Sequence, residues 1–365
     1  GPCLGTRGCS SYPVRDSRPV FQRCACAPRV ARTRSAQTGL HARRTMDIIV
    51  LAGGFGTRLR PWTDGRAKPL LPLLDKTLLE RVVEVVPADM VDRIVVAAGY
   101  GIGEMETFFA DASLPYEVVL SVEKEALGTG GAVSLARPYL TGEGPVLVLN
   151  GDLISSVDVA ALATHHESSG AMVTLSLWEI EDPSRFGVCE LDDAGFIRRF
   201  QEKPERGTEF SNLINAGCYL IERDVLAGLA SEPHSIEREV FPRIAETGKM
   251  SGMAFTGYFV DAGTSASFIE AAQVCIANGR YNSGQVNGDS WLGDGSHCNG
   301  YLSGSSIGAG SNVGADASLT DCVVLAGANI GAGASLTRCL VGEGAVVAAG
   351  AELSDTIVGH HAHVE

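Results

Sequence analysis

The C-terminal end of the chain repeats itself every 17 residues. Residues 307–323 read IGAGSNVGADASLTDCV, residues 324–340 read VLAGANIGAGASLTRCL, and residues 341–357 read VGEGAVVAAGAELSDTI. Residues 358–365 begin another copy. A branched apolar residue stands at positions 1, 7 and 13 of each copy, followed by small residues: Ile307, Val313 and Leu319, then Val324, Ile330 and Leu336, then Val341, Val347 and Leu353. A six-residue spacing of branched residues with Gly, Ala and Asn between them fits three short strands per coil. Stacked coils would turn those side chains inward as a parallel β-helix. One corner of each coil must be shorter than the other two. A flexible Gly/Ala-rich tail would not hold the apolar positions in phase over three periods.

The rest of the chain has a different texture. From 47 to about 276, short apolar runs alternate with helical patterns. Ile48–Ala52, Ile94–Ala98, Tyr116–Val122, Val146–Asn150 and Met172–Trp178 read as strands. Thr77–Val86, Glu104–Ala110, Thr129–Leu140 and Val157–Ser168 read as helices. This alternation, with continuous apolar strands, predicts an α/β domain around a largely parallel sheet covered on both faces. Ligands of such sheets bind beyond the carboxyl ends of the strands. Phe186–Leu191 and Phe196–Gln201 flank Asp192-Asp193-Ala194-Gly195 and predict a hairpin.

Composition narrows the function classes. The 365 residues are 45% hydrophobic and 20% charged, which describes a globular chain and allows two domains. No run approaches the roughly 18 apolar residues of a transmembrane helix, so no membrane partner is expected. A net charge of −14 argues against binding nucleic acid through phosphate neutralisation. Residues 1–45 stand apart, with nine Arg, no Lys and a single acid, Asp16. A transit-type presequence and a basic binding arm are both open; the plainer reading is a disordered leader ahead of a start at Met46, where a strand begins at once. The expected domains are therefore a leader at 1–45, an α/β domain at 46–280 and a β-helix at 281–365. Cys189, Cys218, Cys275, Cys298, Cys322 and Cys339 are scattered singly with no Cys-x-x-Cys pair, which suits small buried hydrophobes in a reducing cytoplasm.

The chemistry starts where the first strand ends. Ile48–Ala52 runs directly into Gly53-Gly54-Phe55-Gly56-Thr57-Arg58-Leu59. A glycine-rich turn at that place exposes backbone N–H groups to a polyphosphate. No Gly-Lys-Ser/Thr follows, so it is not a P-loop, and Leu59 occupies the third glycine position of a dinucleotide fingerprint. The continuation through Arg58, Pro61, Thr63, Lys68-Pro69 and Pro72 makes a proline-stiffened loop with two cations over the turn. Five Lys (68, 76, 124, 203, 249) against 24 Arg make each lysine notable, and Lys68 and Lys203 both precede proline. Asp152 follows a strand end, where a metal-binding carboxylate is sensible, with an Asn-Gly-Asp turn capping a helix as the alternative. Asp261 also closes an apolar run. Nothing in the spacing brings these two together.

Gly-Gly-Phe-Gly-Thr-Arg-Leu-Arg-Pro-x-Thr followed by Lys-Pro-x-x-Pro resembles the signature of the sugar-1-phosphate nucleotidyltransferases. The resemblance continues, in order, through Leu149-Asn150-Gly151-Asp152, Gln201-Glu202-Lys203-Pro204, Asn215-Ala216-Gly217-x-Tyr219 and Val260-Asp261-Ala262-Gly263-Thr264. It covers 47–276, and the hexapeptide tail also resembles that family's. The fold it implies is a Rossmann-like, mostly parallel sheet with helices on both faces, followed by a left-handed parallel β-helix. The reaction it implies joins an NTP to a sugar 1-phosphate and releases pyrophosphate, with Mg²⁺ as cofactor. Such chemistry needs positioning and charge neutralisation more than a protein nucleophile.

The resemblance also implies roles. Leu51, Ala52, Gly53, Gly54, Gly56 and Thr57 border the nucleotide, and Gly128 lies close to the base. Arg58 holds the leaving pyrophosphate and Lys68 neutralises the α-phosphate. Asp152 and Asp261 hold Mg²⁺. Glu202 and Asn215 bind sugar hydroxyls beside Gly151 and Gly217, and Lys203 grips the sugar phosphate. Ala262 departs from the branched apolar residue of many relatives, which touches packing rather than chemistry. Ser121–Gly131 and Ser235–Pro242 are similar to the mannose-1-phosphate guanylyltransferase branch, so GTP and mannose 1-phosphate are expected, with UTP or dTTP and glucose 1-phosphate as the alternative.

Other functions are weaker fits. Acyl transfer by the β-helix would need His297, His360, His361 or His363 as a base, but three to four coils are too few, and the terminal histidines are expected to be exposed. A non-catalytic nucleotide-sugar sensor would have lost charged motif residues, and Arg58, Lys68, Asp152, Lys203 and Asp261 are all present. The β-helix is expected to serve homo-oligomeric assembly through its open ends and flat faces, so removing 291–365 should disturb assembly more than chemistry.

Overall fold

The computed structural model describes residues 45–112 and 114–365. The expectation of a disordered leader lies outside the described residues, apart from Thr45.

Among the described residues, the main elements of the α/β part are β1 Met46–Leu51, α1 Leu78–Val83, β2 Val91–Ala98, α2 Ile102–Asp111, β3 Glu117–Val122, α3 Gly128–Ala136, β4 Val146–Asn150, β5 Leu153–Ser155, α4 Val159–Ser169, β6 Val173–Glu179, β7 Gly187–Leu191, β8 Ile197–Glu202, β9 Leu213–Ile221, α5 Arg223–Ala227, α6 Phe241–Glu246, β10 Met250–Ala254, β11 Phe259–Asp261 and α7 Ser265–Ala277, with a two-residue hairpin of Pro72–Leu73 and Lys76–Thr77 ahead of α1. The main sheet runs β8-β7-β9-β4-β1-β2-β3, with β6 beside β9 and β10 beside β6. The block β4-β1-β2-β3 is parallel, as the strand–helix alternation predicts. Beyond β4 the sheet continues with antiparallel β9, which pairs with β4, β6 and β7. The predicted hairpin is β7–β8; its turn closes with Gly195 at φ 84° and with Asp192 Oδ1 accepting from the N–H groups of Ala194 and Phe196.

Helices cover both faces because alternate strand residues point to opposite sides. Ile48 and Val50 of β1 pack in one core with α1, α4 and α7, whereas Ile49 packs in a second with α3, α5 and α6. Helix starts follow local chemistry. Thr77 and Glu80 form a capping box at α1, and Thr264 and Ser267 form one at α7, so the threonine of the Asp261–Thr264 motif is a helix cap.

The C-terminal part is a left-handed parallel β-helix whose three faces repeat at the 17-residue register. Ser306, Val323, Leu340 and Ile357 stack on one face, Asn312, Asn329, Val346 and His363 on the second, and Ser318, Ser335 and Glu352 on the third. The structure adds a coil before the first copy, offset by 15 residues on two faces: Trp291 pairs with Ser306 and His297 with Asn312. Eight of the nine branched positions read from the sequence are buried in this core; Leu353 is half-buried. The corners repeat too. Left-handed backbone recurs at Gly304, Asp321, Arg338 and Asp355, at Gly310, Gly327, Gly344 and His361, and at Asp316, Gly333 and Gly350. A Cβ on Gly308 or Gly314 would lie 2.5 or 2.6 Å from a backbone nitrogen of the next coil, so a side chain at either position would crowd that coil.

The two parts share a core: Val323, Leu325 and Leu340 of the β-helix pack in the cluster of Trp62 and Phe268. The connection at 278–284 is tied down by polar contacts. Arg280 pairs with Glu84 at 2.9 Å, and the N–H groups of Asn282 and Ser283 donate to Asp75, which also pairs with the buried Arg81. Gln273 donates to the Gly304 carbonyl at 3.0 Å and to Asp321 at 2.7 Å. His360 differs from the expectation of exposed histidines: it is half-buried against Trp62, while His297, His361 and His363 are exposed. His297 and His363 stand at opposite ends of one stacked face, so the histidines do not gather into a site.

Among the described residues, no helix is long and apolar enough to cross a membrane. The six cysteines there are free, and all but Cys298 are buried.

Candidate active site

Two cavities open beyond the carboxyl ends of the parallel strands, and Asp152 lines both. The smaller, about 180 Å³, is bordered by Leu51, Ala52, Gly54, Gly56, Thr57, Arg58, Lys68, Gly151 and Gly263. β1 delivers the chain to its floor, and Gly56 turns it back with φ 62°. The Gly151 N–H donates to the Leu51 carbonyl at 2.9 Å, and a Cβ there would sit 2.7 Å from that oxygen. Glycine at 151 therefore lets the turn after β4 lie flat against the turn after β1, which brings Asp152 to the glycine-rich loop.

Lys68 Nζ lies 2.6 Å from Asp152 Oδ2, with the lysine almost wholly buried. The contact joins residues 84 apart in sequence. Asp261 reaches the same place through β11, which pairs with β5 so that Asp261 faces Leu153; the Ala262 N–H donates to the Asp152 carbonyl at 2.9 Å. This pairing brings the two carboxylates together, which spacing could not reveal. Asp261 Oδ1 is buried and has no hydrogen-bond partner. Burial pushes its carboxyl above the usual range and Asp152 adds to the rise, while Lys68 and Arg58 oppose it. A Cβ on Gly263 would fall 2.6 Å from Arg58 Nη2 and 2.7 Å from Asp261 Oδ1, so the guanidinium and the carboxylate both crowd that glycine.

The larger cavity, about 470 Å³, contains Gly128, Asn150, Asp152, Glu202, Lys203, Asn215 and Asp261. β9 loses its register between Asn215 and Tyr219, and the irregularity turns Asn215 towards the cavity. Gly217 sits in it with φ 64°, and a Cβ there would strike Leu153 and Asn150; its N–H donates to Asn215 Oδ1 at 3.0 Å. Burial pushes the Glu202 carboxyl up; Lys203, whose Nζ lies 3.4 Å away, opposes the rise and Glu237 reinforces it. Gly128 opens α3 with φ 66° and lies against the His234 backbone.

Gly53 and Gly217 do not line either cavity. Gly53 faces Glu123: a Cβ there would come 2.9 Å from Glu123 Oε1, while Oε2 accepts from the Leu127 N–H at 3.2 Å. Burial pushes this carboxyl up as well, against the hydrogen bond from Leu127.

The sequence singled out no role for Glu123, Arg185, Phe186, Glu237 or Arg238. Arg185 and Arg238 bring positive charge to the large cavity. Glu237 is fixed by Thr129 and Ser235, in a π-helical turn at Ile236–Val240. Glu237 and Arg238 stand in the Ser235–Pro242 motif without a role of their own, and Arg185 carries no signal, since a lone Arg before an aromatic residue is ordinary surface composition.

A glycine turn with two cations, opposed carboxylates and a second polar cavity across them defines an α/β enzyme that handles a phosphorylated nucleotide. Residues 47–277 match the family described as nucleotidyl transferase, and the chain belongs to that family. A probable mannose-1-phosphate guanylyltransferase 3 of Oryza sativa subsp. japonica is 34% identical over 288 residues, 76% of this chain and 78% of its own length. HddC from Yersinia pseudotuberculosis, solved in complex with GMP-PN, is 27% identical with a TM-score of 0.53, covering 63% of this chain and 99% of its own. A putative glucose-1-phosphate thymidylyltransferase from Bacillus anthracis is 25% identical with a TM-score of 0.57, covering 66% and 98%. All five motifs fall within the matched span.

Proposed function

We propose that the chain joins GTP to mannose 1-phosphate, giving GDP-mannose and pyrophosphate. The observation that carries this reading is the sharing of Asp152 by two cavities, one built for a polyphosphate and one with polar groups suited to a sugar phosphate. The bond-making centre then lies between them. The sugar-phosphate oxygen attacks the α-phosphorus in line, and pyrophosphate leaves towards the glycine turn. Leu51–Gly54, Gly56 and Thr57 border the nucleotide, Arg58 holds the departing pyrophosphate, and Lys68 neutralises the α-phosphate. Glu202 and Asn215 accept and donate to sugar hydroxyls beside Gly151 and Gly217, and Lys203 grips the sugar phosphate from the rim. No residue is needed as a nucleophile.

Asp152 and Asp261 suit Mg²⁺. The two carboxylates line one cavity, one with a buried oxygen that has no protein donor, and a hard ion of this kind takes few carboxylates and completes its shell with phosphate oxygens and water. When bound, the ion would neutralise developing charge on the phosphates.

The choice of GTP is supported by the names of the relatives and by Glu123. An ionised carboxylate only accepts hydrogen bonds. Guanine offers it two adjacent donors, N1–H and the exocyclic amine, whereas uracil and thymine offer one N–H between two carbonyls. Glu123 lies between Gly53 and Leu127-Gly128, beside the turn assigned to the nucleotide. The free, buried cysteines suit a reducing cytoplasm, and the flat faces of the β-helix suit self-association.

Pyrophosphate release with Mg²⁺, crossing GTP, UTP, dTTP, ATP and CTP with mannose, glucose and N-acetylglucosamine 1-phosphates, tests the reading. Release confined to GTP with mannose 1-phosphate is expected; release with UTP or dTTP and glucose 1-phosphate would replace the substrates. Glu123→Gln should lower the preference for GTP by about tenfold or more, since an unmatched polar pair discriminates strongly.

A further inference from the structure

The loop carrying Arg58 and Lys68 has little structure of its own: three short turns at Thr57–Leu59, Trp62–Asp64 and Lys68–Leu70. Contacts fix it on both sides, and on both they come from the same stretch of β-helix, residues 343–360. On the Arg58 side, the fully buried Trp62 donates its indole N–H to the Val358 carbonyl at 2.9 Å, across 296 residues of sequence. The indole stacks on the His360 imidazole at 6.0 Å between ring centres. The Glu343 N–H donates to His360 Nδ1 at 3.1 Å, so Nδ1 is the acceptor, and Nε2 carries the proton and donates to the Trp62 carbonyl at 3.2 Å. The ring is thus neutral in this arrangement. Burial, Arg66 and His361 favour that form, against the Trp62 carbonyl and Glu343. Thr63 passes the restraint on, its hydroxyl donating to the Gly56 carbonyl at 2.9 Å. On the Lys68 side, Arg66 pairs with Glu343 at 2.8 Å and with Glu104 at 3.4 Å, and Glu104 accepts from the Ala67 N–H at 2.8 Å, one residue before Lys68.

We propose that this stretch of β-helix is a clamp belonging to the catalytic apparatus, in which Trp62, His360, Arg66 and Glu343 are positioning residues that hold Arg58 and Lys68 at the spacing a polyphosphate requires. The β-helix then serves chemistry as well as assembly, and removing 291–365 would cost activity directly. The proposal rests on the reading of Arg58 and Lys68 as phosphate ligands.

The test compares His360→Ala, His360→Gln and Arg66→Ala in the full chain, with the exposed His363→Ala as control. Two quantities are read: amide hydrogen exchange of residues 57–68 in the protein alone, and the split between KM for GTP and kcat. His360→Ala and Arg66→Ala should each speed exchange in 57–68 and raise KM for GTP roughly tenfold, the scale expected of a small misplacement. His360→Gln, which keeps an N–H for the Trp62 carbonyl, should regain most of the loss, and His363→Ala should match the unaltered protein. If His360→Ala speeds exchange throughout the coils, it has unfolded them, and Arg66→Ala, on the α/β side and partly exposed, decides alone. Unchanged loop exchange, or unchanged KM with a lowered kcat, overturns the clamp. If the unaltered protein releases no pyrophosphate from any pair, the substrate reading has failed; loop exchange and calorimetric titration of pyrophosphate then decide the clamp by the same criteria.

Discussion

From Ser306 onward the strands of the β-helix pair with those 17 positions away, so sequence distance and spatial distance are locked together there. In the α/β part the decisive contacts obey no period: Lys68 meets Asp152 across 84 residues, and Thr129 meets Glu237 across 108. One region is specified by repetition and the other by convergence. Away from the contacts of residues 343–360 with the Trp62 loop, damage to the first should be felt as lost stability, and damage to the second as lost chemistry. Four variants can break or sharpen that contrast.

Asp152→Asn should have the largest effect. It removes the carboxylate shared by both cavities and should lower kcat by on the order of 10²–10³-fold, about 3–4 kcal/mol of transition-state stabilisation, with the circular dichroism spectrum unchanged. Undiminished pyrophosphate release would remove Asp152 from the reaction centre. Ile330→Ala comes next, as a defect of the opposite kind. The side chain is fully buried in a middle coil, so denaturant unfolding should show a loss of about 2–4 kcal/mol, with kcat nearly unchanged while the coil stays folded.

Asp261→Asn should combine both kinds. Burial, then Asp152, raises the folded-state pKa of this carboxyl. Ionised Asp261 therefore costs stability at neutral pH, and the cost disappears as pH falls through the folded pKa and the group takes up its proton. The variant should lose turnover yet melt on the order of 2–4 °C higher at neutral pH, with the gain shrinking towards pH 4. A lower Tm at neutral pH would contradict the burial argument. Arg338→Ala should do least. Its pair with Asp355 is bidentate but solvent-exposed, so the unfolding midpoint and the rate should not move measurably.

The same contrast explains what could be read in advance. The coil register was legible because inward residues at 307, 313 and 319 recur with fixed spacing. β1, its glycine turn and the flanking helices were legible because apolar runs and caps are local. The antiparallel strand β9 was not: Leu213–Ile221 is apolar enough for any buried strand, and its direction depends on pairing with β4 and β6. The motifs named Asp152 and Asp261 separately, but their meeting depends on the β5–β11 pairing, a long-range bridge with no local mark. Glu123 was read only within the Ser121–Gly131 motif, with no role of its own; its burial beside Gly53 appears only in three dimensions. His360 was misread for the reverse reason, since a histidine near a chain end looks exposed until Trp62 is found against it.

The corner glycines bear on how such a chain can change length. Because Gly308 and Gly314 leave no room for a side chain under the next coil, an insertion of arbitrary size would put bulk where backbone must pass. Beyond its first coil, which is offset by 15 residues on two faces, this rod is expected to grow or shrink by whole 17-residue units, each adding about 4.8 Å of height. Yet Trp62 hydrogen-bonds to one particular coil, at Val358. A duplication inserted below that coil would carry it past the loop it touches. The number of coils between Trp291 and Val358 is therefore a fixed measure, and descendants of this gene are free to lengthen the rod only beyond that point.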